Sequence, residues 1–355
     1  MIARAVTFLH SLCALAAVLI LLPAIATAAD KADNKLNVYI WSEYIDPEIV
    51  SEFEKKNNVK VTLDLYEDNE SMMAKLEGGG TSLYDIIIPS DYIVPALIER
   101  KLIAPLRKEN IPNAKNIEDK FLKPPYDADN VYTLPYQWGT VGLYVRKKLG
   151  KTPEESWSII LDSSKNYGKF VLVDSMRENF SAALKYLGHS VNTTDPAVLT
   201  RVREELLKAK QRAVGFESGV GGKNKVLAKE VDVAIAYSGD AVRGMSEDPD
   251  TYYFVPKEGG EIWMDNMAIP SKAPHRDLAE KFINFILEPE IGAKLSNFNQ
   301  YPTPNKAAKA LVNPDDLKNP AIYPTPEIEA KLEFLKDLGA ATKLYDEIWT
   351  QVKSK

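Results

Sequence analysis

The sequence is poor in the residues that most catalytic and metal chemistry needs. It has one cysteine, Cys13, and three histidines among 355 residues. A single thiol permits no intrachain disulfide, and His10, His189 and His275 are too scattered for a zinc centre. There is no Gly-x-Ser-x-Gly elbow to present a nucleophile. Asp64, Asp68 and Glu70 lack the glycine and the spacing of a calcium loop. Gly219-Val220-Gly221-Gly222-Lys223-Asn224 looks like a phosphate loop only on the surface. Glu217 stands where the first glycine of such a loop belongs, and no Ser or Thr follows Lys223. No enzyme activity, metal or cofactor is expected. Beyond the first thirty residues no apolar run is long enough to span a membrane.

The first residues follow a different pattern. Arg4, an apolar run from Leu12 to Leu22, Pro23 and the small residues Ala24–Ala29 describe a cleavable secretory signal, with cleavage expected after Ala28. Cys13 lies inside it, after Leu12, which argues against a lipid-modified N-terminus. Without residues 1–28 the formal charge moves from 44 − 50 = −6 to 43 − 50 = −7. An acidic, cysteine-free exported chain of this length points to a bacterial periplasmic protein and argues against nucleic acid as a partner.

One stretch stands out, Gly259-Gly260-Glu261-Ile262-Trp263-Met264-Asp265-Asn266-Met267-Ala268-Ile269-Pro270. As a strand it puts Trp263 and Asp265 on one side and Ile262, Met264 and Asn266 on the other. A tryptophan beside a carboxylate suits an organic ammonium, which needs a countercharge and a polarisable wall. The same pattern also fits a half-buried strand with a tryptophan in the core.

Elsewhere, apolar runs end in polar and aromatic tips. Leu36–Trp41 reads as a strand followed by Ser42-Glu43-Tyr44, and Asp46-Pro47-Glu48 then starts a helix. Val59, Val61, Leu63 and Leu65 alternate as a second strand, a helix around 71–77 stops at Gly78, and Tyr84–Ile88 reads as a buried third strand before Ser90-Asp91-Tyr92. This is βαβαβ, hence an α/β lobe. Tyr132–Val145 is strand-like but interrupted by Pro135 and Gly139, as a crossing between lobes would be. Phe170–Val173 leads to Ser175 and Glu178, Phe216 to Ser218, and Val231–Tyr237 to Asp240. Glu178 also fits the solvated first turn of a helix. Leu278–Leu287 reads as an amphipathic helix, and a final one is expected over about 330–352 with a break near Gly339. In open α/β sheets, ligands sit at such strand ends.

With these tips in one order, the chain resembles the periplasmic spermidine/putrescine-binding proteins of bacterial ABC importers. The matching segments are Val38–Tyr44, Pro89–Tyr92, Ser175–Glu178, Phe216–Ser218, Tyr237–Asp240, Trp263–Asp265 and Gln300–Asn305. The resemblance implies an α/β, two-lobe periplasmic binding protein of type II with its ligand cleft between the lobes. Lobe 1 would comprise residues 33–138 and 264–325, and lobe 2 residues 139–263 and 326–355.

Carried over by position, Glu178, Asp240 and Asp265 would meet ammonium groups. Trp41, Tyr44, Tyr92, Tyr237, Trp263 and Tyr301 would wall the methylenes, and Ser42, Glu43, Ser90 and Ser218 would add polar contacts. Asp91 and Ser175 complete the expected site. Glu43, Tyr92 and Trp263 resemble the spermidine type, whereas Ser42, Asp240 and Leu335 resemble the putrescine type. Ser175 stands where spermidine binders tend to carry an Asp. The implied partners are a polyamine and an inner-membrane permease with its ATPase, and the protein is expected to be a monomer. The alternatives are another cationic solute or ferric ion on the same fold, or a secreted hydrolase.

Overall fold

The computed structural model describes residues 34–148 and 153–354, so the expected signal and its cleavage site lie outside the described residues. The chain opens with β1 (Lys35–Trp41), α1 (Pro47–Asn57), β2 (Lys60–Tyr66), α2 (Asn69–Glu77) and β3 (Ile86–Ile87), the expected βαβαβ unit. α3 (Val94–Glu99) and β4 (Ile103–Ala104) follow, then a segment of short 3-10 turns, then the 14-residue β5 (Thr133–Arg146). A second α/β unit contains α4 (Ser158–Leu161), β6 (Phe170–Val173), α5 (Met176–Tyr186), α6 (Pro196–Arg212), β7 (Phe216–Glu217), α7 (Gly219–Leu227) and β8 (Val233–Tyr237). After it come α8 (Ser238–Glu247), β9 (Thr251–Phe254), β10 (Gly260–Pro270), α9 (Arg276–Ile286) and α10 (Pro289–Asn299). α11 (Pro326–Glu329), β11 (Leu332–Phe334) and α12 (Thr342–Ser354) end the chain.

The local signals act as their chemistry requires. Asp46 caps α1 by accepting from the Glu48 N–H at 2.8 Å, Pro47 takes the first helical position, and Asn58 ends the helix in the left-handed region at φ 52°. Ile49 and Phe53 turn inward and are fully buried, with the Phe53 ring edge-on to Phe282 of α9.

The strands are ordered β2-β1-β3-β10-β5-β8-β6-β7, with β4 and β11 also on β10 and β9 on β5. Parallel pairing within each half (β1 with β2 and β3, β6 with β7 and β8) meets antiparallel pairing at the long central strands. β5 changes partner along its length. Residues 133–140 pair with β10, and Val141–Val145 pair with β8. Pro135 and Gly139 therefore do not interrupt the strand. The register slips between Asp265 and Asn266, which oppose Gln137 and Pro135. Tyr136 is the extra residue, a bulge beside the position where proline offers no N–H to the ladder.

Three further expectations change in the tertiary structure. Leu63 and Leu65 do alternate, but β2 is the sheet's edge and they stay exposed, leaving Val61 and Tyr66 as its buried side chains. The final helix starts only at Thr342. Leu332–Phe334 pairs instead as a strand with Gly260–Ile262, a long-range ladder that overrides local helical periodicity. Tyr84 and Ile88 are buried as expected, yet only Ile86 and Ile87 form ladder pairs.

Close packing where β5 meets β9 requires a residue without a side chain. A Cβ on Gly142 would lie 2.3 Å from the Phe254 carbonyl oxygen and 2.8 Å from the Tyr253 ring. Gly142→Ala is expected to cost about 1–3 kcal/mol, read as a lower urea midpoint with an unchanged slope. An unchanged midpoint would show that the two strands can part freely.

Candidate ligand-binding site

The strand ends and helix N-termini of both halves meet at one pocket, crossed on one side by β10. Its space, open mouth included, is about 850 Å³. From the first half come Trp41 at the end of β1, Ser42, Tyr44, Ser90 and Tyr92. From the second come Ser175 and Glu178 at the start of α5, Ser218 capping α7, Tyr237 at the end of β8 and Asp240 in the first turn of α8. Trp263 and Asp265 face it from β10, and Tyr301 follows the left-handed cap residue Gln300 of α10. The period of two along β10 holds, since Ile262 and Met264 are absent from the lining.

Two expected residues stand outside the lining. Glu43, with backbone φ at 53°, turns away to pair with Lys223 at 3.3 Å and Arg243 at 2.9 Å. Burial works against its ionisation, but these two cations hold its carboxyl below the ordinary range. Asp91 is fully buried behind the wall, where it accepts from the Tyr92 N–H at 2.8 Å, and burial pushes its carboxyl well up.

Four carboxylates that line the pocket are at least nine-tenths buried, namely Glu178, Asp240, Glu261 and Asp265. Asp240, expected as an ammonium partner, already carries a salt bridge to Arg243 at 2.6 Å. Burial raises its carboxyl, with Arg243 and Lys223 pulling the other way. Asp265 accepts from the Ser90 hydroxyl at 2.7 Å, and Ser90 also forms an isolated β-bridge with it. Burial pushes Asp265 up to about 7 against that hydrogen bond, with Glu178 adding to the rise. Glu178 accepts from the Tyr237 hydroxyl at 2.9 Å and from the Ser175 hydroxyl, so it is not a solvated residue of a helix's first turn. Among the described residues neither Asp265 nor Glu178 has a basic partner within ion-pairing distance.

Aromatic rings fill the space between these acids. Trp263 packs edge-on to Tyr301 at 5.1 Å and to Tyr237 at 6.1 Å, and Tyr44 packs edge-on to Tyr301 at 5.6 Å. Trp41 donates its indole N–H to the Ile88 carbonyl at 2.9 Å, which fixes the ring at the rim. Tyr252 and Tyr253 do not line the pocket, and the Tyr253 hydroxyl pairs with Thr140 at 2.9 Å. His189 is likewise absent from it.

Several lining residues were not among the expected site residues. Glu67, Asp68 and Asn69 belong to the loop and first turn after β2, where Asp68 caps α2 through the Ser71 N–H at 2.7 Å. Val173 ends β6 and Asp174 follows it, while Gly219 and Val220 start α7. Glu261 could have been found, because it shares the period-two face of Trp263 and Asp265.

A cleft lined by strand ends and helix N-termini, with two long strands shared by both halves, is the solute-binding class: an α/β, two-lobe, type II periplasmic binding protein with its cleft between lobes. The chain belongs to the bacterial extracellular solute-binding proteins, whose family model matches residues 48–325. It is 33% identical to the spermidine/putrescine-binding periplasmic protein of Escherichia coli over 334 residues, covering 93% of this chain and 95% of that protein. It is 31% identical to the putrescine-binding periplasmic protein PotF of the same organism, covering 94% and 95% of the two chains. Among solved structures, the spermidine/putrescine ABC transporter substrate-binding protein PotD of Streptococcus pneumoniae superposes with a TM-score of 0.76. It is 31% identical, and the match covers 90% of this chain and 98% of that one.

Proposed function

We propose that this protein captures a polyamine, putrescine or spermidine, in the cleft and delivers it to an ABC permease without chemical turnover. The observation that carries this reading is the pair Asp265 and Glu178, buried carboxylates without a basic partner among the described residues, in a pocket also lined by aromatic rings. Carboxylates so placed are costly unless a cation meets them, and a polyamine alternates ammonium groups with methylenes in the same way. Each cation–π contact contributes about 0.5–2 kcal/mol, and charge-assisted hydrogen bonds add to this. Together they are compatible with micromolar binding, roughly −8 kcal/mol.

The rest of the reading follows from that role. Residues 1–28 direct export and are removed, and the mature protein works as a periplasmic monomer. Lobe 1 is formed by residues 33–138 and 264–325, and lobe 2 by residues 139–263 and 326–355. The change of partner on β5 after Thr140 supports a boundary at this level. Closure of the lobes on the ligand is what the permease, driven by its ATPase, would recognise.

Calorimetric titration of the protein with putrescine, spermidine, cadaverine and lysine in one buffer tests the reading. Saturable binding of putrescine or spermidine near micromolar, with unchanged ligand recovered afterwards, is expected. No heat with any polyamine, or binding of lysine alone, overturns it.

A further inference from the structure

Glu261 is the most buried carboxylate of the pocket, only 1% exposed, and no part of the proposed role has used it. Its Oε2 accepts from the Ser181 hydroxyl of α5 at 2.6 Å, while its Oε1 is buried without a hydrogen-bond partner. No basic side chain among the described residues pairs with it. Arg177, whose charge opposes the rise of the Glu261 carboxyl, is tied to the Lys336 carbonyl and to the Asn192 side chain. A buried acid that lines a pocket and keeps one oxygen without a hydrogen-bond partner needs an explanation. Nothing in the strand supplies one, since its neighbours Gly260 and Ile262 make ordinary ladder pairs with β11.

The spacing suggests what it is for. Glu261, Trp263 and Asp265 share one face of β10, so the strand presents acid, aromatic, acid. Four residues of extended chain separate the two acids by about 13 Å at the backbone. A staggered chain advances about 1.25 Å per bond, so putrescine spans roughly 6 Å between its nitrogens and spermidine roughly 11 Å. A diamine held at Asp265 is too short to reach Glu261. A triamine can cover the whole face, with a methylene segment on Trp263. Glu178 lines the same pocket and acts electrostatically on both Asp265 and Glu261.

We infer that Glu261 is a third ammonium-binding carboxylate, and that with Glu178 it forms a subsite for the far nitrogen of a triamine. The inference rests on the polyamine reading of the pocket. Burial and the nearby Glu178 charge favour the protonated acid at Glu261 before ligand arrives, which keeps the subsite from repelling its own neighbours. An incoming ammonium gives the carboxylate its countercharge. Ser175 adds no charge at this end, so without Glu261 a second ammonium there would have Glu178 alone.

The test compares selectivity. Glu261→Gln keeps the volume and an acceptor for Ser181 but removes the charge. It is expected to weaken spermidine at least about 30-fold, the lower end for breaking a buried ion pair, and to weaken putrescine at least ten times less. Ser181→Ala, which frees Glu261 without changing its charge, shifts the same ratio in the same direction by a smaller factor. It keeps the question answerable if the first variant does not fold. Wild type that binds putrescine but not spermidine, or variants that weaken both ligands equally or neither, overturn the role of Glu261 and leave the polyamine reading standing. Wild type silent towards every polyamine overturns both.

Discussion

Asp265→Asn is expected to lower affinity for putrescine and spermidine by at least about 100-fold. Asp265 is 5% exposed, sits in the middle of β10 and is bonded by the Ser90 hydroxyl, with Tyr44 beside it. An ammonium brought to this place loses its water, and the carboxylate is what compensates the loss. Asn keeps the size and an acceptor for Ser90, so the pocket retains its shape while the countercharge disappears. Ser42→Ala is the matched control. Ser42 is half-buried at the rim and its hydroxyl is engaged with Glu67, so its loss is expected to cost no more than about 10-fold. Calorimetry on the two variants decides the point, and comparable losses would remove Asp265 from its role. The empty Asp265→Asn protein should melt at least as high as wild type at pH 8, because the substitution removes a desolvated charge. A much lower melting point would mean that the carboxylate serves the fold.

Affinity is also expected to fall steeply with acid, by up to about 10-fold per pH unit below 7 for the single proton that Asp265 takes up. Burial pushes Asp265 up to about 7, with Glu178 adding to the rise and Ser90 and Tyr44 opposing it. The ligand amines stay protonated throughout this range, since alkyl ammonium groups titrate near 10, so the loss must come from the protein. The stability of the empty protein runs the other way. The folded chain holds a proton on Asp265 that the unfolded chain, at its ordinary 3.8, has already lost. That contribution is complete below about 4 and disappears as pH rises through about 7. Melting curves with and without spermidine from pH 5 to 8 should therefore diverge, with the empty protein weakening and the ligand-induced shift growing. Asp265→Asn should remove the share of the trend that Asp265 contributes, leaving that of the other buried acids. A ligand-induced shift that is constant over this range would contradict the ion pair.

Much of the site was legible because its residues are placed by local rules. Asp46-Pro47 starts α1 whatever surrounds it, and the apolar runs of β1, β6 and β8 end where polar residues begin. Trp41, Glu178, Tyr237 and Asp240 therefore stood out as strand-end tips before any contact was known. The alternation of β10 likewise put Trp263 and Asp265 together. Glu261 lay in the same quoted stretch but was passed over, because an acid beside a Gly-Gly turn reads as exposed until β11 and α5 cover it.

By itself the sequence determined the α/β class, the order of the strand-end tips and the paired aromatic and acidic faces, all set by spacing along a few residues. The tertiary structure alone decided which acids find a cation within the chain. Asp240 is tied to Arg243, while among the described residues no basic side chain forms an ion pair with Asp265, Glu178 or Glu261. It also turned Leu332–Phe334 into a strand and left Leu63 and Leu65 at an open edge. The reason is the same in each case. Pairing, burial and the ionisation of a buried acid depend on groups far away in the chain, which only the fold brings within reach.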